Sequence, residues 1–406
     1  MIKVAVLGYG TVGSGVVEVL RVNQEIVNKH AGQEVELKYV LDLRDFPGDP
    51  VEEVLVHDFE TIVNDPEVKI VVEVMGGLKP SYDFVKRCLE SGKNVCTSNK
   101  ELVAQHGTEL LQLAKANSVN FLFEASCGGG IPIIRPLYSA LTADKIDEVS
   151  GILNGTTNYI LSKMASDGSD FESVLAKAQE KGYAERNPEA DVEGYDACRK
   201  IAILSSLAFE QYVDYKDIYT EGITKITAAD IKYAQTIGTS IKLLAVSRQS
   251  DKGTYAMVSP VMIDSSNPLF SVNNVFNAVY VHGNMLGSSM YYGRGAGKLP
   301  TASAVVGDLI EASKNVNQTV MGEGWNPKKL ELMPLDEISG RFFVRISGSI
   351  TEKLPAVEKV FGTVEPITVP SMEDEFAFIT DEMTEAEYKE KANQTDGILS
   401  MIRARI

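Results

Sequence analysis

The chain begins with residues suited to holding a dinucleotide. Gly8-Tyr9-Gly10-Thr11-Val12-Gly13 follows at once on the strand-like run IKVAVL, Ile2 to Leu7, and leads into a helix pattern through Val16, Val19 and Leu20. A G-x-G-x-x-G with a strand before it and a helix after it has the context such a motif needs. The first glycine permits the tight turn and the second lets the backbone approach a pyrophosphate. The third lets helix and strand pack closely, with the helix N-terminus facing the phosphates. A dinucleotide there would supply a hydride carrier. Far downstream, Glu185, Asp191, Asp196 and Lys200 crowd into GYAERNPEADVEGYDACRK, Gly182 to Lys200. Asp196 and Lys200 stand four apart at the head of an apolar helix pattern, on one face, with the acid N-terminal. Such a lysine either pairs with that acid at the surface or is held near a cleft. Spacing alone makes the surface pair the commoner case.

The elements around these residues alternate strand and helix. ELKYVL, Glu36 to Leu41, reads as a second strand that ends at Asp42-Leu43-Arg44. An acid at that tip favours NAD by holding a ribose 2′-hydroxyl, and a nearby arginine accepts the 2′-phosphate of NADP. With Asp42 and Arg44 both present, both cofactors stay open. KIVVEV, Lys69 to Val74, is a third strand, and a helix follows from Pro80 to Leu89. The short strand Asn94 to Thr97 ends in Ser98-Asn99-Lys100. Open α/β sheets bind ligands at strand C-terminal ends, which makes Ser98 and Lys100 candidates. A helix around Glu101 to Asn117 and a strand at Asn120 to Glu124 complete a doubly wound unit. Glu124-Ala125-Ser126-Cys127-Gly128-Gly129-Gly130-Ile131-Pro132 then reads either as a hinge or as carbonyls free to bind a cation.

Ile133 to Leu141 reads as a helix and Ile146 to Leu153 as a strand. The small polar turn Asn154-Gly155-Thr156-Thr157 leads from that strand into the helix-like NYILSKM. Helices at Phe171 to Lys181, Tyr195 to Phe209 and Ala228 to Ile237, with strands at Thr254 to Ile263 and Asn277 to His282, suggest an α+β sheet. Tyr292 to Thr301 is a second glycine-rich turn, too degenerate for a P-loop. The small-residue helix Ala302 to Ala312 after it suits close packing back on the nucleotide unit. From Arg341 the order is strand, helix, strand (Glu365 to Val369), strand (Glu375 to Thr380), helix, strand, a ferredoxin-like path. The expectation is an α/β protein in three parts. These are a Rossmann dinucleotide-binding domain over 1–132, an α+β substrate and dimerisation domain over 133–326, and a ferredoxin-like, ACT-like module over 340–406.

Composition excludes several classes. The chain has 406 residues, 44% hydrophobic and 23% charged, an ordinary globular balance. A net charge of −17 argues against nucleic acid and anionic membrane surfaces as partners. Cys88, Cys96, Cys127 and Cys198 form no CxxC, and His30, His57, His106 and His282 are scattered, so neither a zinc site nor a Ser-His-Asp triad is indicated. Few unpaired cysteines suit a reducing cytoplasm. Met1 leads straight into a strand, and no apolar run reaches membrane-spanning length.

The chain resembles the homoserine dehydrogenase family over residues 1 to about 312. The resemblance rests on the glycine loop, VVEVMGG, TSNKELVA, FEASCGGGIPII, GILNGTTNYIL, GYAERNPEADVEGYDACRK and GRGAGKLPTASAVVGDL. It implies reversible, NAD- or NADP-dependent interconversion of L-aspartate 4-semialdehyde and L-homoserine, on the route to threonine, isoleucine and methionine. It implies cofactor binding by Gly8, Gly10, Thr11, Val12, Gly13, Arg44, Ser98, Lys100 and Gly295. It places Glu185 and Asp191 on the amino acid, with Lys200, Lys100 and Asp196 catalytic around the reacting oxygen. The backbone carbonyls of Glu124, Cys127, Gly129 and Ile131 resemble the family's sodium site, and a homodimer or homotetramer is implied. The C-terminal module resembles an ACT domain, but Arg345-Ile346-Ser347-Gly348-Ser349 stands where that fold carries an Asp-x-Pro-Gly-Val turn. A dimerising or structural role there is at least as strong an expectation as effector binding.

Overall fold

The computed structural model describes residues 1–322 and 324–406. The first sheet draws on β1 (Ile2–Leu7), α1 (Thr11–Val22), α2 (Gln24–Ala31), β2 (Val35–Leu41), β3 (Leu55–Val56), α3 (Phe59–Val63), β4 (Val68–Glu73), α4 (Ser81–Glu90), β5 (Asn94–Thr97), α5 (Lys100–Ala116) and β6 (Phe121–Leu122). Its strands pair in parallel in the order β3-β2-β1-β4-β5-β6, the doubly wound order expected of a dinucleotide-binding sheet. Helices cover both faces, so the strands carry continuous apolar runs. Val4, Ala5, Val6 and Leu7 are wholly buried.

The second sheet begins with β7 (Ile146–Ile152), followed by α6 (Gly155–Asp167), α7 (Phe171–Glu180), α8 (Glu189–Val192), α9 (Tyr195–Ala208), β8 (Tyr219–Thr220), α10 (Ala228–Thr236), β9 (Ser240–Ser250), β10 (Gly253–Ile263), β11 (Phe276–Gly283), β12 (Gly287–Arg294) and α11 (Lys298–Lys314). Beyond α11 come β13 (Ser339–Ser347), α12 (Ile350–Phe361), β14 (Glu375–Ile379), β15 (Met383–Thr384), α13 (Glu385–Asn393) and β16 (Ile398–Arg405). The sheet has ten strands in the order β12-β11-β7-β9-β10-β16-β13-β14 along its main path, with β8 on β10 and β15 on β13. The last three strands of that path, β16, β13 and β14, come from the segment after α11. They do not stand apart, because β16 pairs in parallel with β10 from Val261↔Arg403 to Ile263↔Arg405. Buried ion pairs brace this join: Arg403 meets Glu385 at 2.5 Å and Glu221 at 2.7 Å, and Arg345 meets Asp230 at 2.6 Å.

Some expected elements differ. The strand at Asn120 to Glu124 shortens to Phe121–Leu122, and Glu124–Ser126 turns as a 3₁₀ helix. The Glu124 carboxylate accepts from the backbone N–H groups of Ile133, Ile134 and Arg135, which requires the chain to leave the sheet there. The expected helix at Ile133 to Leu141 closes as a wide π turn over Pro136–Ala140, because Pro136 has no N–H to continue an α ladder. Glu365 to Val369 keeps one bridge, Ile367↔Ala377, since Pro366 and Pro370 flank it. Tyr292 to Arg294 belongs to strand β12, and α11 starts at Lys298 with Pro300 tolerated in its first turn.

α11 packs back on the nucleotide sheet, as its small residues suggested. A Cβ on Gly15 of α1 would fall 2.9 Å from the Lys298 carbonyl and 3.0 Å from the Ala302 Cβ. Lys298 also reaches Glu18 of α1 at 2.8 Å. α11 therefore carries the loop before it against the glycine-rich turn of the first sheet.

Candidate active site

The glycine loop has the shape that its spacing promised. Gly8 sits at φ +96°, and a Cβ on Gly13 would fall 1.9 Å from the Gly8 carbonyl, so helix and turn touch backbone to backbone. No heavy atom lies within 4 Å of where a Gly10 Cβ would stand, which leaves the phosphate side open. At the tip of β2, Asp42 accepts from the Tyr9 N–H at 2.8 Å and from Arg44 Nε at 2.9 Å and Nη2 at 3.0 Å. Those bonds, Arg44 foremost, hold the Asp42 carboxyl far below the usual carboxylate range against the effect of burial. The exposed Arg44 guanidinium stands over the Phe46 ring, 5.1 Å from its centroid.

A cleft of about 530 Å³ opens between the two sheets. Val12, Ser98 and Lys100 line it from the nucleotide side, and Cys127 and Gly129 from the crossover loop. Glu185, Asp191, Asp196, Lys200 and Gly295 line it from the substrate side. Gly8, Gly10, Thr11 and Gly13 stay around the glycine loop, and Arg44, Glu124 and Ile131 lie off the cleft.

Asp196 is the hub of the cleft. Lys100 Nζ meets its Oδ1 at 2.7 Å, and Lys200 Nζ meets its Oδ2 at 2.7 Å. Lys200 also donates to the Leu153 carbonyl at 2.8 Å. The pair left open by spacing is thus buried: Asp196 is 4% exposed and Lys200 8%. Burial pushes the Asp196 carboxyl up, but the two ammonium groups overcome it and hold the group well below the usual range. Burial likewise works against the Lys100 ammonium, and Asp196, with Asp191 and Glu101 behind it, holds that pKa above the ordinary lysine value. Asp191 lies the other way. Burial raises its pKa, Asp196 adds to the rise, and Asn154 opposes it. Glu185 remains exposed on the cleft lip.

Asn154 was legible as part of a turn but not as a site residue. Its Oδ1 caps α6 by accepting from the Thr157 N–H at 2.9 Å. Its Nδ2 donates to Asp191 at 2.7 Å and to Asp196 at 3.0 Å. The signal was an asparagine directly between a buried strand and a helix start, the usual place for a cap.

In the crossover loop, the carbonyl oxygens of Cys127, Gly129 and Ile131 accept no hydrogen bond among the described residues. The Glu124 carboxylate is spent on three backbone N–H groups, so its carbonyl is what that residue could offer a cation. Among the described residues, no group of three or more His, Cys, Asp or Glu side chains could hold a metal.

Residues 8–124 match the family model for the homoserine dehydrogenase NAD-binding domain, and residues 132–310 match the homoserine dehydrogenase model. The homoserine dehydrogenase of Bacillus subtilis is 41% identical over 354 residues, 85% of this chain and 81% of that one. The crystal structure of a homoserine dehydrogenase from Thiobacillus denitrificans superposes with a TM-score of 0.91 at 34% identity, covering 100% of this chain and 98% of that one. A hyperthermophilic archaeal homoserine dehydrogenase in complex with NADPH superposes with a TM-score of 0.66 at 27% identity, over 77% of this chain and 97% of that one. With an open dinucleotide loop at one end of the cleft and a buried aspartate that pairs with a lysine from each wall, this chain belongs to the homoserine dehydrogenase family of NAD(P)-dependent oxidoreductases.

Proposed function

We propose that the chain interconverts L-aspartate 4-semialdehyde and L-homoserine with NAD or NADP, and that Lys200, Lys100 and Asp196 are its catalytic residues. The carrying observation is the buried Asp196 carboxylate held between two ammonium groups in a cleft that Val12 and Ser98 of the nucleotide side also line. When bound, the nicotinamide gives hydride to, or takes it from, the carbon bearing the reacting oxygen. The Lys100 and Lys200 ammonium groups stabilise negative charge growing on that oxygen. Lys200 passes the proton to the oxygen during reduction and takes it back during oxidation. Asp196 orients both lysines, and Asn154 fixes Asp196. Glu185 and Asp191 receive the substrate ammonium, Asp191 at depth and Glu185 from the lip. The test is reduced-cofactor consumption with aspartate semialdehyde, run beside other small amino and hydroxy aldehydes. Equal rates across that panel would overturn the substrate assignment.

Arg44 favours acceptance of NADP. Asp42 is already engaged by Arg44 and the Tyr9 N–H, which leaves the exposed guanidinium to meet a 2′-phosphate. The carbonyls of Glu124, Cys127, Gly129 and Ile131 suit a sodium ion, which would order the crossover loop. A homodimer or homotetramer fits the edge strand β12, where Met290 and Tyr292 are 44% and 54% exposed. Sedimentation at graded concentrations checks this. We keep the division at 1–132, 133–326 and 340–406 as part of this reading; the separate first sheet supports its first boundary, and the ACT-like segment β13–β16, joined to the second sheet, serves bracing. Cytoplasmic residence fits four free, buried cysteines. Among the described residues no helix is long and apolar enough to cross a membrane.

A further inference from the structure

β11 carries a buried asparagine that stability does not explain. Asn277 is 2% exposed, and its Oδ1 has no hydrogen-bond partner among the described residues. An unsatisfied buried acceptor costs on the order of 1–3 kcal/mol, and a leucine has the same branching without that cost. Its position accounts for the amide. A Cβ on Gly295 would fall 2.2 Å from the Asn277 Cγ and 2.2 Å from its Nδ2. On another side, a Cβ on Gly155 would stand 3.3 Å from Asn277 Oδ1 and 2.9 Å from the Val275 carbonyl. Gly155 and Gly295 both line the cleft. Asn277 is therefore a wedge between two strips of cleft backbone.

The two strips have different duties. Gly155 follows Asn154, whose amide holds Asp191 and Asp196. Gly295 precedes α11, which packs on α1 behind the glycine loop. The spacing between them is the spacing between the substrate wall and the nucleotide side. Polar bonds secure the base of the wedge. Asn158 Nδ2 donates to the Phe276 carbonyl at 3.0 Å, and Lys242 Nζ donates to the Val272 carbonyl at 2.7 Å and to Asn273 Oδ1 at 2.8 Å. Asn158 also keeps a buried, unpartnered Oδ1. Buried polar groups kept at a cost to stability tend to mark places where geometry is held for function.

We infer that Asn277 is a positioning residue for the dehydrogenase reaction, setting the separation between the Asn154–Thr156 turn and the Gly295–Gly297 loop. The inference rests on the proposed oxidoreductase reading and deepens it. Small misplacements of reacting groups slow transfer steps by up to about a hundredfold without touching the chemistry itself. The experiment compares Asn277→Ala, Asn277→Leu, Gly295→Ala and the double variant Asn277→Ala/Gly295→Ala. Each is measured for kcat, cofactor dissociation constant, thermal midpoint and the primary isotope effect with deuterated cofactor.

Each single variant should lose about tenfold or more in kcat, with a larger isotope effect as hydride transfer becomes limiting, and the two Asn277 variants should keep cofactor affinity within about threefold. Asn277→Leu should keep or raise the thermal midpoint. The double variant should recover part of the loss, because the new Cβ fills the space the amide vacates, a coupling that additive effects cannot give. A purely structural role would lower the midpoint and leave kcat and the isotope effect of the folded enzyme unchanged. That result, or strict additivity in the double variant, overturns the inference. An unsubstituted protein inactive on aspartate semialdehyde would instead overturn the oxidoreductase reading.

Discussion

Two buried charge clusters flank the crossover loop, and they behave as opposites. In one, Asp196 takes a lysine on each oxygen and opens on the cleft. In the other, Glu124 and Asp308 of α11 share Arg135 and a set of backbone donors. Asp308 accepts from Arg135 Nη2 and from the Glu124 N–H, each at 2.8 Å, and Glu124 accepts from three N–H groups of the next segment. Both clusters bury carboxylates, and both answer them with donors. The difference lies in the donors. A lysine ammonium can pass a proton to an oxygen that is gaining negative charge, whereas a guanidinium or a peptide N–H holds its own. The first cluster therefore presents movable protons to the cleft, and the second, which lies off the cleft, holds α11 and the crossover loop together. Burial of charge does not by itself make a site.

The sharpest way to break this contrast is Lys200→Ala. Turnover should fall by about a thousandfold, within the span general acid–base groups command, while the far-ultraviolet spectrum and cofactor binding stay near those of the parent. Turnover that survives intact would remove Lys200 from the mechanism. Asp308→Ala should do the reverse. Removing the acceptor of the part-buried Arg135 and of the Glu124 N–H should cost about 1–3 kcal/mol in urea unfolding, with kcat per folded molecule nearly kept. A large fall in kcat with little loss of stability would erase the distinction between the clusters.

Two smaller effects sharpen it. Asp191 has its pKa raised by burial, so its charge is lost as pH falls through a value above the ordinary carboxylate range. The acid limb of kcat/KM for the amino-acid substrate should therefore lie at higher pH than a free aspartate would give. Asp191→Asn should flatten that limb and raise KM about tenfold, in line with one lost ammonium–carboxylate contact. An unchanged pH profile would take Asp191 out of substrate binding. Arg44→Ala should weaken NADP by about tenfold and leave NAD within about twofold, and equal losses with both would end its assignment to the 2′-phosphate.

The first sheet was largely legible because β1 and β4 are buried on both faces and carry the apolar runs Val4 to Leu7 and Ile70 to Val72. β12 was hidden for the opposite reason. It pairs on one side only, with β11, and its end, Tyr292 to Arg294, read as part of a glycine-rich turn. The charged site residues showed through their types and crowding in Gly182 to Lys200. Whether Asp196 and Lys200 formed a surface pair turned on a burial that four-residue spacing cannot report. Asn154 and Asn277 were less visible still. One acts by reaching residues on other helices, and the other lies at the second position of β11, where its two glycine neighbours come from other parts of the chain.

The parallel join of β16 to β10 bears on how the protein is made. Val261, Met262 and Ile263 are fully or nearly fully buried, yet their partners on that side are Arg403 to Arg405. During synthesis this apolar edge stays unpaired until almost the whole chain has emerged, and loop closure over so long a separation is slow. A nascent chain in that condition presents an open strand to its neighbours, the situation in which β proteins aggregate or engage holding chaperones. A chain stopped before residue 398 should therefore accumulate as insoluble material even though every residue lining the catalytic cleft is present.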